Sequence, residues 1–283
     1  SVEILDAEAE GLCVEDTVIE IMSRNPRLAV FCVYGHQPSA STQCLPGASA
    51  VAKIISKMDN AVRIPTLALG THMSALPERT LREEPFDYVC QGEGPVTVER
   101  LLMALYPDLR LSVSDVPGLW QGGKTIAVQT QALAKNIKDL DHELPNQAWE
   151  LLDMKRYRPH HWHRWMGDPN GGYAAIQTSL GCPYACTFCC INTPFGGSGY
   201  RMWSPANVAA QIANLVNRYS ITNIKIPDEM FVLNRQHVWQ ICNHLIDAKL
   251  GDRLNLWAYA RVDTLKDDAL LAQMRLAGFR WLG

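Results

Sequence analysis

Three cysteines on one short segment constrain this chain more than any other feature. Residues 179–190 read SLGCPYACTFCC, and the cysteines follow the spacing C-x3-C-x2-C. They are Cys182, Cys186 and Cys189. The preceding run at residues 173–178 (YAAIQT) has the length and composition of a buried strand, which Gly181 and Pro183 bring to an end. The three thiols are therefore expected on one loop, where they can converge on one metal centre.

The spacing distinguishes between the metal centres that cysteines commonly hold. A structural zinc ion takes four closed ligands, and Cys190 is a poor fourth because its side chain points away from that of Cys189. A two-cluster ferredoxin needs C-x2-C-x2-C-x3-C-P, which this sequence lacks. Small iron–sulfur clusters usually have four such ligands, so three cysteines leave one iron able to bind a small molecule through amino and carboxylate groups. A zinc site and an accidental spacing are the alternatives.

A C-x3-C-x2-C loop after the first strand of a barrel, with an aromatic residue (Phe188) before the third cysteine, resembles the radical S-adenosylmethionine superfamily. The resemblance implies a [4Fe-4S] cluster on Cys182, Cys186 and Cys189. It also implies that the open iron chelates the methionyl amine and carboxylate of S-adenosylmethionine. Reduction would then cleave the sulfonium and give a 5′-deoxyadenosyl radical.

Composition and charge argue against several other classes of function. With a net charge of −3 and mixed signs, the 283 residues carry no basic footprint for nucleic acid or an anionic membrane. No apolar run approaches the ~18 residues of a membrane span, and no secretory signal is evident. Nine cysteines, three of them in metal spacing, favour a reducing cytosol over a disulfide framework. We therefore expect a cytoplasmic protein with no membrane span and no nucleic-acid partner.

Strands and helices alternate through the first half of the chain. Strands are expected at residues 2–5, 28–34, 65–69 and 88–90. Amphipathic patterns predict helices at residues 14–23, 48–58, 76–83 and 96–105. This alternation predicts an α/β fold over residues 1–110, with a doubly wound, Rossmann-like parallel sheet.

Polar, glycine-rich segments follow three of these strands, at residues 35–39, 70–72 and 92–94. In doubly wound sheets, ligands bind beyond the carboxyl ends of the strands. Glycine lets a backbone approach a flat or bulky ligand closely, but an ordinary strand-to-helix turn has the same composition. From the residues alone, both interpretations stand.

Residues 70–102 (GTHMSALPERTLREEPFDYVCQGEGPVTVERLL) are similar to the second half of the cobalamin-binding domain that precedes many radical S-adenosylmethionine domains. The D-x-H-x-x-G signature that supplies the lower axial ligand of cobalt is absent, since neither His36 nor His72 has that spacing. The resemblance therefore implies cobalamin bound without a protein histidine, or a degenerate pocket. It also implies that the first strand and helix of the domain precede Ser1. The expected cobalamin contacts are Ser39, Gly70, Thr71, His72, Gly92, Glu93 and Gly94.

Two segments separate the halves of the chain. Residues 114–130 read as a β-hairpin around Gly122-Gly123. Residues 136–153 are acidic and broken by proline, and they are similar to the linker between the two domains of the family. We expect a hairpin and linker over residues 111–150, with the domain boundary near Pro145.

The second half repeats strand and helix in regular steps. Ser204 is expected as a helix N-cap, with Pro205 at the first helical position and an apolar stripe to Tyr219. Further helices are expected at residues 238–248 and 265–276, and four strands at residues 173–178, 224–227, 254–260 and 279–282. One crossover helix per step predicts a (β/α) barrel, of which residues 151–283 hold about half.

Active-site groups of such barrels lie at the carboxyl ends of strands. That rule selects the cysteine loop, Asp228 and Glu229 after the second strand, and Arg261 after the third. In the family, residues after strand two contact the amino group of S-adenosylmethionine, and residues 228–231 (DEMF) are similar to an acidic variant of that segment. Arg261 can pair with its carboxylate as a bidentate fork. A solvated or helix-capping acid and a structural salt bridge are the alternatives, and no catalytic residue is assigned.

Together these features predict a radical S-adenosylmethionine enzyme with a cobalamin-binding domain, of which the chain is a fragment truncated at both ends. The expected reaction is methyl transfer from methylcobalamin to an unactivated carbon of a small-molecule or natural-product substrate. A flavodoxin or ferredoxin is the expected reductant. The alternatives are a non-methylating radical oxidoreductase or cyclase of the same layout, and a metal-bound non-catalytic module.

Overall fold

The computed structural model describes residues 1–34, 41–59, 61–106, 111–122, 126–159 and 171–283. Ser39 and His36 lie outside the described residues. The chain forms two compact units. The N-terminal unit comprises Leu5–Asn136 and Tyr184–Ser198, and the C-terminal unit comprises Ser1–Ile4, Ile137–Pro183 and Gly199–Gly283.

The N-terminal unit contains a five-stranded sheet in the order β1-β2-β3-β4-β5. Its strands are β1 (Ala29–Cys32), β2 (Thr66–Leu69), β3 (Tyr88–Cys90), β4 (Leu119–Gly122) and β5 (Ala127–Gln129). The first three strands are parallel, and β4 and β5 continue the sheet as an antiparallel hairpin. The parallel strands and the hairpin were both predicted from the sequence.

The N-terminal unit has six α-helices among its described residues, and several of them pack against the two faces of this sheet. The six are α1 (Ala7–Glu10), α2 (Val14–Arg24), α3 (Ser41–Ile55), α4 (Thr71–Ala75), α5 (Pro77–Glu83) and α6 (Pro95–Ala104). Successive side chains of a strand point to opposite faces. Ala68 of β2 therefore packs in one apolar cluster with Leu45 of α3 and Leu81 of α5, whereas Leu67 packs with Leu101 of α6. This is the predicted doubly wound arrangement.

The C-terminal unit is built on a four-stranded sheet in the order β11-β10-β9-β6, with all neighbours parallel. The strands are β6 (Gly172–Ala175), β9 (Ile221–Ile226), β10 (Asn255–Ala258) and β11 (Phe279–Leu282). The remaining elements are α7 (Leu140–Glu143), an antiparallel ribbon of β7 (Ser179–Leu180) and β8 (Arg201–Met202), and helices α8 (Pro205–Tyr219), α9 (Arg235–Asp247) and α10 (Asp268–Leu276). One helix per crossover confirms the predicted partial barrel.

The two faces of the C-terminal sheet differ in chemistry. Ile224 and Ile226 of β9 join an apolar cluster with residues of α8 and α9. On the opposite face, the rings of Trp257 and Trp281 stack with their centroids 5.0 Å apart. The register between β10 and β11 shifts just before these two residues. Such a bulge re-aims the side chains beyond it. We call this opposite face the inner face.

Two local predictions were wrong. Residues 2–5 form no strand, and Val2 is 70% exposed, because no strand or apolar cluster among the described residues covers this short run. Helix α3 begins at Ser41 rather than residue 48 and continues through Pro46. Burial of Leu45 against the sheet stabilises the turn that the proline would otherwise disfavour. No helix in the described ranges is both long and apolar enough to span a membrane.

The end of β2 approaches β1 so closely that it requires glycine. Gly70 has φ +144°, and a Cβ there would lie 2.3 Å from the carbonyl oxygen of Val33. The Val33 N–H also donates to the Leu69 carbonyl at 2.9 Å. Packing of the two strand ends therefore accounts for this glycine.

Gly70→Ala should lower the free energy of unfolding by at least about 2 kcal/mol, because it combines a strained φ with a backbone clash. Gly47→Ala is the matched control, since Gly47 lies in α3 with open space around it. Its replacement should raise the free energy of unfolding by about 0.5–1 kcal/mol through helix propensity. Denaturant unfolding of both variants measures the difference, and equal stabilities would contradict the packing argument.

Candidate functional site

The start and end of the cysteine loop are held together in the C-terminal unit by the β7–β8 ribbon. Outside the paired strands, the Trp203 N–H donates to the Thr178 carbonyl at 3.1 Å, and the Gly199 N–H donates to the Cys182 carbonyl at 3.1 Å. Cys182 is buried. The first cysteine of the motif therefore emerges from a clamped position.

The other two cysteines belong to the segment Tyr184–Ser198, which is part of the N-terminal unit. Cys186 and Cys189 are exposed and share one turn, in which the Cys189 N–H donates to the Cys186 carbonyl at 3.0 Å. Within the described residues, no three His, Cys, Asp or Glu side chains come together as metal ligands. The structure thus does not gather the three thiols. Three reduced cysteines on one loop nevertheless have the chemistry that an iron–sulfur cluster requires of its ligands.

Asp228 follows β9 and is fully buried. Its Oδ1 accepts a hydrogen bond from the Thr178 N–H at 2.9 Å. Its Oδ2 accepts from the hydroxyls of Thr178 and Ser179, both at 2.6 Å. Burial raises the pKa of Asp228 to about 6, although these hydrogen bonds act in the opposite direction.

Glu229 differs from its neighbour in being only partly buried. The pKa of Glu229 is raised to about 7, chiefly by burial and to a smaller extent by the charge of Asp228, and a backbone hydrogen bond acts in the opposite direction. Of the two predicted acids, Asp228 is thus engaged with the base of the cysteine loop, whereas Glu229 keeps access to solvent.

Arg261 lies in the turn after β10, and its guanidinium forms a fork with Asp263. Arg261 Nε and one terminal nitrogen donate to the two carboxylate oxygens of Asp263 at 3.0 and 2.9 Å. Both side chains are roughly half exposed. The bidentate geometry expected for a ligand carboxylate is therefore made here with a residue that sequence reasoning did not select.

Lys225 is a second residue that sequence reasoning missed. It lies on the inner face of β9 and is only 1% exposed. Its ammonium lies 4.6 Å from the ring centroid of Trp257 and 5.2 Å from that of Tyr259. Burial lowers the pKa of Lys225 to about 8. The available signal was a lysine between Ile224 and Ile226 in the strand ITNIKI, where alternation places it on the face opposite to the two isoleucines.

In the N-terminal unit, the structure links two of the glycine-rich loops. Thr71 is buried at the start of α4, and His72 Nδ1 lies 2.9 Å from the Thr42 hydroxyl. The Gly92 N–H donates to the Ser74 hydroxyl at 3.2 Å, which joins the loop at residues 92–94 to α4. Glu93 is partly buried, between two glycines with positive φ.

Gln91 connects the loop at residues 92–94 to the β4–β5 hairpin. Its Oε1 accepts hydrogen bonds from Trp120 Nε1 at 2.9 Å and Gln129 Nε2 at 3.1 Å. Its backbone N–H donates to the Gly118 carbonyl at 2.8 Å. The hairpin, predicted as part of a linker region, thus supports the candidate ligand loop directly.

The later part of the cysteine segment packs within the same unit. A short 3-10 helix at Thr193–Phe195 contacts α4. The Phe195 carbonyl accepts a hydrogen bond from Asn136 Nδ2 at 2.8 Å. A Cβ at Gly92 would lie 3.9 Å from the Pro194 carbonyl oxygen. The segment that carries Cys186 and Cys189 therefore rests near the loop at residues 92–94.

Comparison with known proteins gives no matching family model but several relatives. An uncharacterized methyltransferase of Pyrococcus horikoshii is 28% identical over 267 residues, which is 94% of this chain and 53% of the relative. The anaerobic magnesium-protoporphyrin IX monomethyl ester cyclase of Synechocystis is 27% identical over 98% of this chain and 51% of the cyclase. The hopanoid C-2 methylase of Rhodopseudomonas palustris is 28% identical over 76% of this chain and 35% of the methylase. The chain spans about half the length of the first two relatives.

Solved structures confirm the fold. The radical S-adenosylmethionine methyltransferase TsrM of Kitasatospora setae, with cobalamin and a [4Fe-4S] cluster bound, matches with a TM-score of 0.73 at 18% identity. The match covers all of this chain and 52% of TsrM. The cobalamin-dependent S-adenosylmethionine radical enzyme OxsB matches with a TM-score of 0.62 at 15% identity, over 98% of this chain and 36% of OxsB. The resemblance inferred from the sequence is thereby confirmed at the level of fold and relatives.

Gln91→Leu should destabilise the N-terminal unit by about 1–3 kcal/mol, because it leaves the Trp120 and Gln129 donors without their acceptor. Gln131→Leu is the control, since its amide makes one exposed hydrogen bond to the Ser114 carbonyl. Denaturant unfolding followed by tryptophan fluorescence measures both. A Gln91 variant as stable as the Gln131 variant would show that the hairpin does not depend on this contact.

Proposed function

We propose that the chain is the cofactor-binding part of a cobalamin-dependent radical S-adenosylmethionine enzyme, and that the whole protein transfers a methyl group to carbon. The C-x3-C-x2-C loop at the carboxyl edge of a partial barrel is the observation that carries this proposal. The methyltransferase and methylase relatives support it, as does the match to TsrM. A small molecule is the substrate class, and a flavodoxin or ferredoxin is the proposed reductant. A cytoplasmic location is part of this proposal, and the cysteine content supports it because thiols persist under reducing conditions.

The residues divide the work between a cluster and its ligand. Cys182, Cys186 and Cys189 would hold a [4Fe-4S] cluster. When bound, the cluster would supply one electron and an open iron for S-adenosylmethionine. Glu229 accepts hydrogen bonds from the amino group of that ligand, because its carboxylate keeps access to solvent. Arg261 is the proposed contact for the methionyl carboxylate, and that contact would be made beside or in exchange for its fork with Asp263.

Cobalamin would be held by the loops that follow β2 and β3. The donor groups there are the backbone of residues 70–72 and 92–94 and the side chains of Thr71, His72 and Glu93. Gly92 and Gly94 have positive φ, which favours glycine, so two of the three positions of the loop at residues 92–94 carry no side chain. Such a loop suits the close approach of a bulky, flat ligand. The predicted contact of Ser39 with cobalamin lies outside the described residues. When bound, cobalamin would supply the methyl group.

A radical cyclase without methyl transfer is the second candidate, because 98% of this chain aligns at 27% identity with about half of a cyclase. A methyltransferase moves isotope label from the methyl group of S-adenosylmethionine into product and releases S-adenosylhomocysteine. A cyclase releases no S-adenosylhomocysteine. A metal-bound module without catalysis would cleave no S-adenosylmethionine on reduction.

Anaerobic reconstitution of the full-length enzyme should give about four irons per chain, and Cys186→Ala should lose most of that iron because one cluster ligand is removed. Cys44→Ala is the matched control, an exposed free cysteine of the same unit outside the motif, and it should keep its iron. Iron, sulfide and cobalamin are quantified on each purified protein. Zinc in place of iron, or full iron in the Cys186 variant, would overturn the proposal.

Binding of S-adenosylmethionine to the reconstituted enzyme should tighten as the pH rises through about 7, the pKa of Glu229. Burial raises this pKa, so the carboxyl is protonated below it and becomes a full acceptor above it. Glu229→Gln should weaken binding about tenfold or more above that pKa and flatten the pH dependence. Equilibrium binding at about pH 6 and about pH 8 tests this.

Glu150→Gln is the control for Glu229→Gln, because Glu150 is an exposed glutamate of the same unit. It should bind S-adenosylmethionine as the wild type does at both pH values. A Glu229 variant that keeps the wild-type pH dependence would remove Glu229 from the site.

A further inference from the structure

The chain changes sheets immediately before the cysteine loop. Ile176 still belongs to the parallel ladder, since its N–H donates to the Lys225 carbonyl at 2.9 Å. Ser179 already pairs with Met202 in the antiparallel ribbon. Thr178 and Ser179 lie at this crossing and are 0% and 2% exposed. Their polar groups are therefore removed from water at a point where the parallel ladder has ended.

Asp228 supplies the acceptors that this crossing needs. Its carboxylate receives the Thr178 N–H and the two hydroxyls, all within 2.9 Å. Buried donors without acceptors are costly, and a buried carboxylate is tolerated when several donors surround it. Asp228 can reach the crossing because β9, which it follows, pairs in parallel with β6. The segments that follow β6 and β9 therefore leave the sheet at the same edge.

We propose that Asp228 is a positioning residue for the cysteine loop and does not bind S-adenosylmethionine. This inference rests on the proposed function of the loop. Asp228 fixes Thr178 and Ser179, and Cys182 follows three residues later with its own carbonyl held by the Gly199 N–H. The direction in which the first cluster ligand leaves the barrel is thus set by a carboxylate two residues beyond the neighbouring strand.

The same contacts keep Asp228 from the ligand. Its side chain has no exposed surface, and both oxygens already accept hydrogen bonds from the loop base. A new contact with an amino group would require this carboxylate to leave the donors that compensate its burial. The adjacent Glu229, which is partly exposed, takes the amino group without that cost.

The test compares Asp228→Asn, Thr178→Val and Glu229→Gln in the full-length reconstituted enzyme. Release of iron to a chelator, the electron paramagnetic resonance spectrum of the reduced cluster and the Kd for S-adenosylmethionine are measured on folded, monodisperse protein. Asp228→Asn and Thr178→Val should each release iron about tenfold faster than the wild type and alter the spectrum. Loss of a residue that orients a metal ligand typically weakens metal binding by about this factor or more. Glu229→Gln should keep its iron and lose only affinity.

Thr178→Ser retains the hydroxyl that Asp228 accepts, so it should retain iron nearly as the wild type does, and it is the matched control for Thr178→Val. Wild-type iron retention and spectrum in both the Asp228 and Thr178→Val variants, or loss of S-adenosylmethionine affinity alone in Asp228→Asn, would overturn the inference. So would lower melting temperatures without any change in iron release. A wild-type protein that binds no iron would instead contradict the proposed function itself.

Discussion

The candidate site depends on one buried carboxylate. Asp228 has no exposed surface, so its charge is tolerable only because Thr178 and Ser179 direct three donors at it. Those donors are buried too, and each side of the arrangement compensates the other. The cost of separating them fixes where the chain leaves the parallel sheet. The ribbon of β7 and β8 then carries this fixed point to Cys182. Local order at the base of the loop thus comes from a contact 50 residues away in sequence.

A related balance holds on the inner face of the C-terminal sheet. The face of the sheet that contacts the helices is apolar, and helix packing is sufficient to explain its composition. The inner face instead places the Lys225 ammonium against the rings of Trp257 and Tyr259. Aromatic faces attract a cation, which offsets part of the cost of removing it from water. Packing alone would favour an aliphatic residue at this position. The inner face therefore keeps a buried, titratable amine beside aromatic rings.

The sequence predicts the architecture better than the site. The strands of both sheets follow from apolar runs, and the α8 N-cap follows from Ser204 and Pro205, which the structure confirms with a hydrogen bond from the Asn207 N–H to the Ser204 hydroxyl. These are local signals. The hydrogen bonds that Asp228 and Gln91 accept come from residues 29–50 positions away in the sequence. No local sequence pattern encodes such contacts. Burial likewise distinguishes Asp228 from Glu229, although the two are adjacent and chemically alike.

The glycine-rich loops show how structure separates interpretations that composition leaves open. At Gly70 a Cβ would meet the Val33 carbonyl oxygen at 2.3 Å, so the approach of two strand ends is sufficient to require glycine. At Gly92 and Gly94 the nearest atoms to such a Cβ lie at 3.9 and 3.5 Å, so only the positive φ of the turn into α6 favours glycine there. A Cβ at either position would thus make only ordinary van der Waals contacts with the described residues. Strand packing therefore explains the glycine at position 70, whereas at residues 92 and 94 the glycines are explained by backbone conformation alone.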